Sequence, residues 1–133
     1  MLSDCKWVWQ NGDLVPWVRA TVHVSAHGLH YGTGVFEGIR CYKTTRGPAV
    51  FRLDAHLDRM FDSAQTYGIT IPYSREELAG AVLEVIAANQ FSDCYVRPIA
   101  TYGSSSLGVH PGNCPVEVAI LAWPWGAYLG ADA

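Results

Sequence analysis

Apolar and polar positions alternate along several short stretches of this chain and switch to a spacing of three and four in two longer ones. Residues 7–10 and 14–17 are apolar runs flanking Asn11-Gly12-Asp13, and an Asn-Gly step between such runs favours a tight hairpin with positive backbone angles. Thr21, Val22, His23 and Val24 alternate as a strand does, which makes His23 a strand residue rather than a ligand. Residues 33–42 read as extended, with Phe36, Gly38, Arg40 and Tyr42 on one face and Val35, Glu37, Ile39 and Cys41 on the other. Thr44 to Pro48 is rich in turn formers and leads into Ala49-Val50-Phe51-Arg52-Leu53, a second hairpin.

Helical spacing then takes over. Leu57, Met60, Phe61 and Ala64 form one stripe, with Asp54 as the expected cap and Gly68 as the terminator. Arg59 sits beside that stripe, where spacing alone reads it as a solvated side chain. Ser74-x-x-Glu77 is a capping box, Tyr73 and Leu78 can form its hydrophobic staple, and Leu78, Val82, Val85 and Ile86 supply the buried face of a second helix ending near Asn89.

Residues 94–102 form a strand with Tyr95, Arg97, Ile99 and Thr101 on one face, and Pro98 marks an edge or a bulge. Gly103 to Gly112 is a Ser- and Gly-rich loop, most simply a mobile connection, and Val116 to Ala122 suits a central strand covered on both sides. Hairpins alternating with paired helices predict an α/β (α+β) two-layer sandwich: a mainly antiparallel sheet with two helices on one face.

Composition narrows the function. The chain has 133 residues, half of them hydrophobic, which suits one domain with a real core. Nine Lys and Arg against twelve Asp and Glu leave a formal charge of -3, so no basic surface advertises nucleic acid or an anionic membrane. Cysteines at 5, 41, 94 and 114 form no C-x-x-C pair and read as reduced thiols of a cytoplasmic protein, and the N-terminus carries no secretory or membrane-spanning run. His27-x-x-His30 has no third ligand nearby, so no metal is expected.

The densest stretch is His30-Tyr31-Gly32-Thr33-Gly34-Val35-Phe36-Glu37-Gly38-Ile39-Arg40, read as a single strand with an aromatic wall, a gap and a cation. A Gly-containing core strand with a snorkelling arginine accounts for it equally well on composition. The glycines do not follow the G-x-G-x-x-G order of a nucleotide loop. Tyr95 and Arg97, two apart on one face, could converge on a carboxylate. Trp123, Trp125 and Tyr128 form an aromatic cluster that is either core or partner surface.

His30-Tyr31-Gly32-x-x-Val35-Phe36-Glu37-Gly38-Ile39-Arg40 resembles the signature of branched-chain amino-acid aminotransferases, the pyridoxal-phosphate enzymes of fold type IV. The likeness continues through Trp9-x-Asn11-Gly12, Ala49-Val50-Phe51-Arg52, Tyr95-x-Arg97-Pro98 and Pro124-Trp125-Gly126-Ala127-Tyr128-Leu129-Gly130, in order along nearly the whole chain. It implies that residues 1–133 are the small N-terminal domain of such an enzyme, with Arg59 on the phosphate of pyridoxal 5'-phosphate. It further implies Tyr95, Arg97 and the backbone near Gly38 at the substrate carboxylate, and Phe36, Tyr31 and Trp125 around the branched side chain, with Val109, Tyr128 and Arg40 as additional contacts. Tyr31 and the 103–112 loop would be offered across a dimer interface.

Transamination needs a Schiff-base lysine, and the two lysines here, Lys6 and Lys43, do not match the family's position. The resemblance implies that this lysine belongs to a second, larger domain, so the 133-residue chain alone is expected to be inactive and no catalytic residue is assigned within it. The parent would exchange amino groups between leucine, isoleucine or valine and 2-oxoglutarate, as a homodimer or higher homo-oligomer. The alternatives are a D-amino-acid aminotransferase or an aminodeoxychorismate lyase of the same fold type, or a non-catalytic binding or dimerisation module.

Overall fold

The structure is a computed structural model that describes residues 2–125. After a short 3-10 helix at Leu2–Asp4, two strands, β1 (Trp7–Gln10) and β2 (Asp13–Pro16), open the sheet. Gln10 pairs with Asp13, so Asn11 and Gly12 alone make the turn, and both have positive φ, 50° and 102°. That is the geometry for which Asn-Gly is selected. The Asn11 side chain also accepts from the Val118 amide at 2.9 Å, fastening the hairpin to the sheet.

The central stretch is not one strand. It folds as a short helix, α1 (His27–Tyr31), then β3 (Gly34–Phe36), a break at Glu37-Gly38, and β4 (Ile39–Thr44). The predicted face alternation survives the break, because Val35, Glu37, Ile39 and Cys41 are all buried while Phe36 and Tyr42 are exposed. Residues 21–24 are not a strand either. His23 lies in a turn, with its Nδ1 2.7 Å from the Ser25 hydroxyl. Alternation over four residues carries no information about whether a neighbouring strand exists to pair with.

β5 (Gly47–Val50) completes the second hairpin and is shorter than the apolar run suggested. Arg52, at φ 52°, turns the chain directly into α2 (Leu53–Thr66), so Arg52 occupies the cap position and Asp54 falls in the first turn. α2 ends in a Schellman motif: the Gly68 amide donates to the Gln65 carbonyl at 3.1 Å and Ile69 to Ala64 at 2.8 Å, with Gly68 at φ 71°. α3 (Arg75–Ala88) starts at the predicted capping box, with Glu77 N–H on Ser74 Oγ at 3.0 Å and the reciprocal bond at 2.7 Å. Asn89 follows it, and its carboxamide oxygen accepts from the Lys6 and Trp7 amides, stitching the helix end to β1.

β6 (Cys94–Tyr102) and β7 (Val116–Trp123) finish a sheet of order β2-β1-β7-β6-β4-β5, with β3 also on β6 and every pairing antiparallel. β6 is therefore central, and Pro98 is not at an edge. It faces the break between β3 and β4, where its carbonyl accepts from the Glu37 amide at 3.0 Å. Because a strand residue's N–H and C=O point to the same side, the missing amide costs no bond to β7.

Helices α2 and α3 cover one face, where Leu57, Met60, Leu78, Val82 and Val85 meet Ile39, Val96, Val118 and Ile120 in a core from which each of these side chains is fully or nearly fully excluded from water. Two layers with two long helices on one side are as predicted. β7 is fully covered only on that side; Glu117, Ala119, Leu121 and Trp123 are half-buried on the other. There α1 lies beside Thr101, and among the described residues no long helix covers this open face.

Candidate functional site

The open face carries the chemistry. Register sets Arg40 opposite Tyr95 and Tyr95 opposite Trp123, so β4, β6 and β7 each contribute one side chain to the same row. Arg97, two residues along β6, donates from Nη2 to the Tyr95 hydroxyl at 2.8 Å and from Nε at 3.2 Å. Its guanidinium carbon lies 4.2 Å from the Phe36 ring centroid and 6.0 Å from that of Trp123. Tyr95 is nearly buried between Trp123 and Trp125, with ring centroids at 4.8 and 4.9 Å. A tyrosine that accepts from arginine keeps its own O–H to donate, so the pair presents N–H and O–H groups together against an aromatic wall.

Gly38 makes this possible. A Cβ there would stand 2.9 Å from Tyr95 Cζ, closer than real side chains come. The missing side chain is the space the tyrosine occupies. Arg40 donates from Nη1 to the Trp125 carbonyl and from Nη2 to Asp93, both at 2.7 Å, and so holds the strand end that carries Trp125 in line with the row.

Of the residues singled out in the sequence, Phe36, Gly38, Arg40, Tyr95, Arg97 and Trp125 thus come together on one face. Arg59 reaches the same region from the opposite side of the sheet. Its Nε and Nη2 each lie 2.7 Å from a Glu37 carboxylate oxygen, and His56 Nδ1 is 3.0 Å from Oε2. Arg59 is mostly exposed as spacing suggested, yet it is paired rather than free in solvent. Burial would push the Glu37 carboxyl up, but the hydrogen bonds and charges of Arg59 and His56 outweigh it and hold the group below its usual value. Arg59, His56, Arg52, Phe51 and Ala55 line a concavity at the start of α2. Two permanent cations, an imidazole and a helix N-terminus form a donor set that fits a phosphate anion.

The rings beneath the Arg97 guanidinium are Phe36, Tyr95 and Trp123, whereas Tyr31 packs against His27 and Val109 is 80% exposed. They stand on a separate unit. Tyr31 Oη donates to the Leu107 carbonyl at 2.6 Å, and the buried His27 bridges Thr33 Oγ1 at 2.7 Å and the Gly108 carbonyl at 2.9 Å. The 103–112 loop is therefore fastened to α1 rather than simply a free connection. Tyr128 lies outside the described residues.

Sequence reasoning does not pick out Trp123, Glu37, His56 or His27 as site residues. A signal exists for the first two. Trp123 shares parity with Trp125, and a carboxylate among Val35, Ile39 and Cys41 on the core face demands a cation from the covering helix. His27 has none, because its partners are 6 and 81 residues away.

The model of class IV amino-transferases matches residues 34–132. The chain belongs to this family. The branched-chain-amino-acid aminotransferase of Pseudomonas aeruginosa is 48% identical over 126 residues, covering 95% of this chain and 41% of the relative. That of Escherichia coli K12 is 47% identical, covering 98% of this chain and 43% of its own length. The crystal structure of the Escherichia coli branched-chain aminotransferase superposes with a TM-score of 0.94 at 46% identity, over 97% of this chain and 43% of that one. The branched-chain aminotransferase of T.th., crystallised with pyridoxamine 5'-phosphate, gives 0.91 at 48%, over 97% and 43%. The class IV chain thus spans well under half the length of the relatives it matches, and its antiparallel sheet and covering helices are those of the neighbouring structures.

Proposed function

We propose that this chain is the N-terminal small domain of a branched-chain amino-acid aminotransferase and supplies the substrate-binding half of its active site. The observation that carries the proposal is the Arg97–Tyr95 pair stacked on Phe36 and flanked by Trp123 and Trp125, cationic donors set directly against an apolar wall. An α-amino acid with a branched aliphatic side chain presents the matching pair of features, a carboxylate beside a hydrocarbon.

In this reading Arg97, Tyr95 and the backbone near Gly38 receive the carboxylate, Gly38 admits the Tyr95 ring that delivers the hydroxyl, and Phe36 and Trp125 exclude water from the side chain. Arg40 keeps Trp125 in place. Tyr31 and Val109, carried by α1 and the fastened loop, would complete the pocket of the other subunit in a homodimer, and Tyr128 would line it as well. Arg59 would hold the phosphate of pyridoxal 5'-phosphate, which when bound supplies the electron sink for amino-group transfer. The lysine this chemistry requires would come from a larger domain beyond these residues, and the enzyme would work in the cytoplasm.

Coupled assay of the full-length protein with L-leucine, L-isoleucine and L-valine against 2-oxoglutarate tests the proposal. Turnover of all three is expected, and none from the 133-residue chain alone. Turnover confined to D-alanine, or to aminodeoxychorismate, would overturn it.

A further inference from the structure

One buried carboxylate has no part in holding the substrate. Glu37 lies between Phe36 and Gly38 of the binding face but turns toward α2, is 4% exposed, and engages both Arg59 and His56 there. Burying a charge is costly, and packing alone is served on this face by Val35, Ile39 and Cys41. What Glu37 adds is a bidentate clamp on a side chain that is itself 68% exposed. An exposed arginine otherwise samples many rotamers. Clamped through Nε and Nη2, the guanidinium keeps both N–H groups of Nη1 and one of Nη2 for another acceptor, and Arg59 lines one concavity with Phe51, Arg52, Ala55 and His56.

We infer that Glu37 is a positioning residue for anion recognition: with His56 it fixes the Arg59 guanidinium so that its outward N–H groups meet the cofactor phosphate in one orientation. This rests on the reading of Arg59 as the phosphate ligand. The benefit is geometric, since the carboxylate lowers the local positive charge. A purely coulombic site would bind phosphate more tightly without Glu37, whereas a positioned fork binds it less tightly.

The test compares dissociation constants for pyridoxal 5'-phosphate and for pyridoxal, which lacks the phosphate, in the cofactor-free full-length protein, for wild type, Glu37→Gln, Arg59→Ala and the double variant. Glu37→Gln is expected to weaken the phosphorylated ligand on the order of tenfold, to leave pyridoxal unchanged, and to add nothing in the Arg59→Ala background. Unchanged or tighter phosphate binding in Glu37→Gln, with the loss present in Arg59→Ala, overturns this inference alone. Equal losses for both ligands, or the same loss without Arg59, mean a structural role and overturn it too. No loss of phosphate preference in Arg59→Ala overturns the phosphate reading and this inference together. Should Glu37→Gln not fold, Glu37→Asp keeps the charge but is one methylene short of the clamp, and an unaltered ligand preference in it is equally fatal.

Discussion

The Arg97 guanidinium stacks on Phe36 at 4.2 Å while its edge bonds the Tyr95 hydroxyl, so one cation joins β3 to β6 across the open face of the sheet. A planar ion held both by a ring face and by a hydroxyl has a single orientation, which is what recognition of a planar carboxylate needs.

Lysine cannot reproduce that arrangement. Arg97→Lys in the full-length protein is expected to lower kcat/KM for L-leucine by about 10–100-fold, the equivalent of about 1.5–3 kcal/mol for a charge-assisted hydrogen bond. Thermal unfolding should change little, because Arg97 is only half-buried. Steady-state kinetics beside a melting curve separates the two.

Gly38 and Tyr95 compete for one volume. Gly38→Ala should destabilise the chain by about 1–3 kcal/mol as the tyrosine ring is forced aside. In Tyr95→Ala the space is already vacated, and adding Gly38→Ala should then cost clearly less. Urea titration of the four proteins measures the coupling, and strict additivity would contradict the clash.

Glu37 imposes a pH dependence of definite sign. Its folded carboxyl titrates below its ordinary value of 4.5, so the stability it contributes is present above pH 4.5 and is lost as the pH falls below that value toward the folded one. The melting temperature of the wild type should therefore drop more steeply below pH 4.5 than that of Glu37→Gln. Parallel profiles would show that the carboxylate is not preferentially ionised in the fold.

Cys94 faces Cys41 across β4 and β6, with both thiols inaccessible. Burial, then the neighbouring Cys41, pushes the Cys94 thiol up to about 12. At pH 8 about one molecule in ten thousand would carry the reactive thiolate. Iodoacetamide should leave Cys94 unmodified in the folded chain and label it only in denaturant, as read by peptide mass spectrometry.

Local rules in the sequence reached far into this fold. Asn11-Gly12, the Ser74–Glu77 box and the three-and-four spacing of Leu57, Met60 and Ala64 each depend on bonds closed within a few residues, and each stands as expected. The expectations that gave way depended on partners. The 21–24 segment alternates like a strand but has none to pair with, and the pairing of the stretch from His30 to Arg40 is interrupted at Glu37-Gly38 because Pro98 accepts from the Glu37 amide but has no N–H to return the bond.

By itself, then, the sequence determined most of the strands and both long helices, and that Phe36, Gly38 and Arg40 share a face, because periodicity and short-range hydrogen bonds are written residue by residue. The tertiary structure alone decided what those faces meet. Arg97 lies under Phe36, Glu37 clamps Arg59 from 22 residues away, and His27 fastens a loop 81 residues downstream. Such contacts arise from strand order and register, which no local pattern encodes.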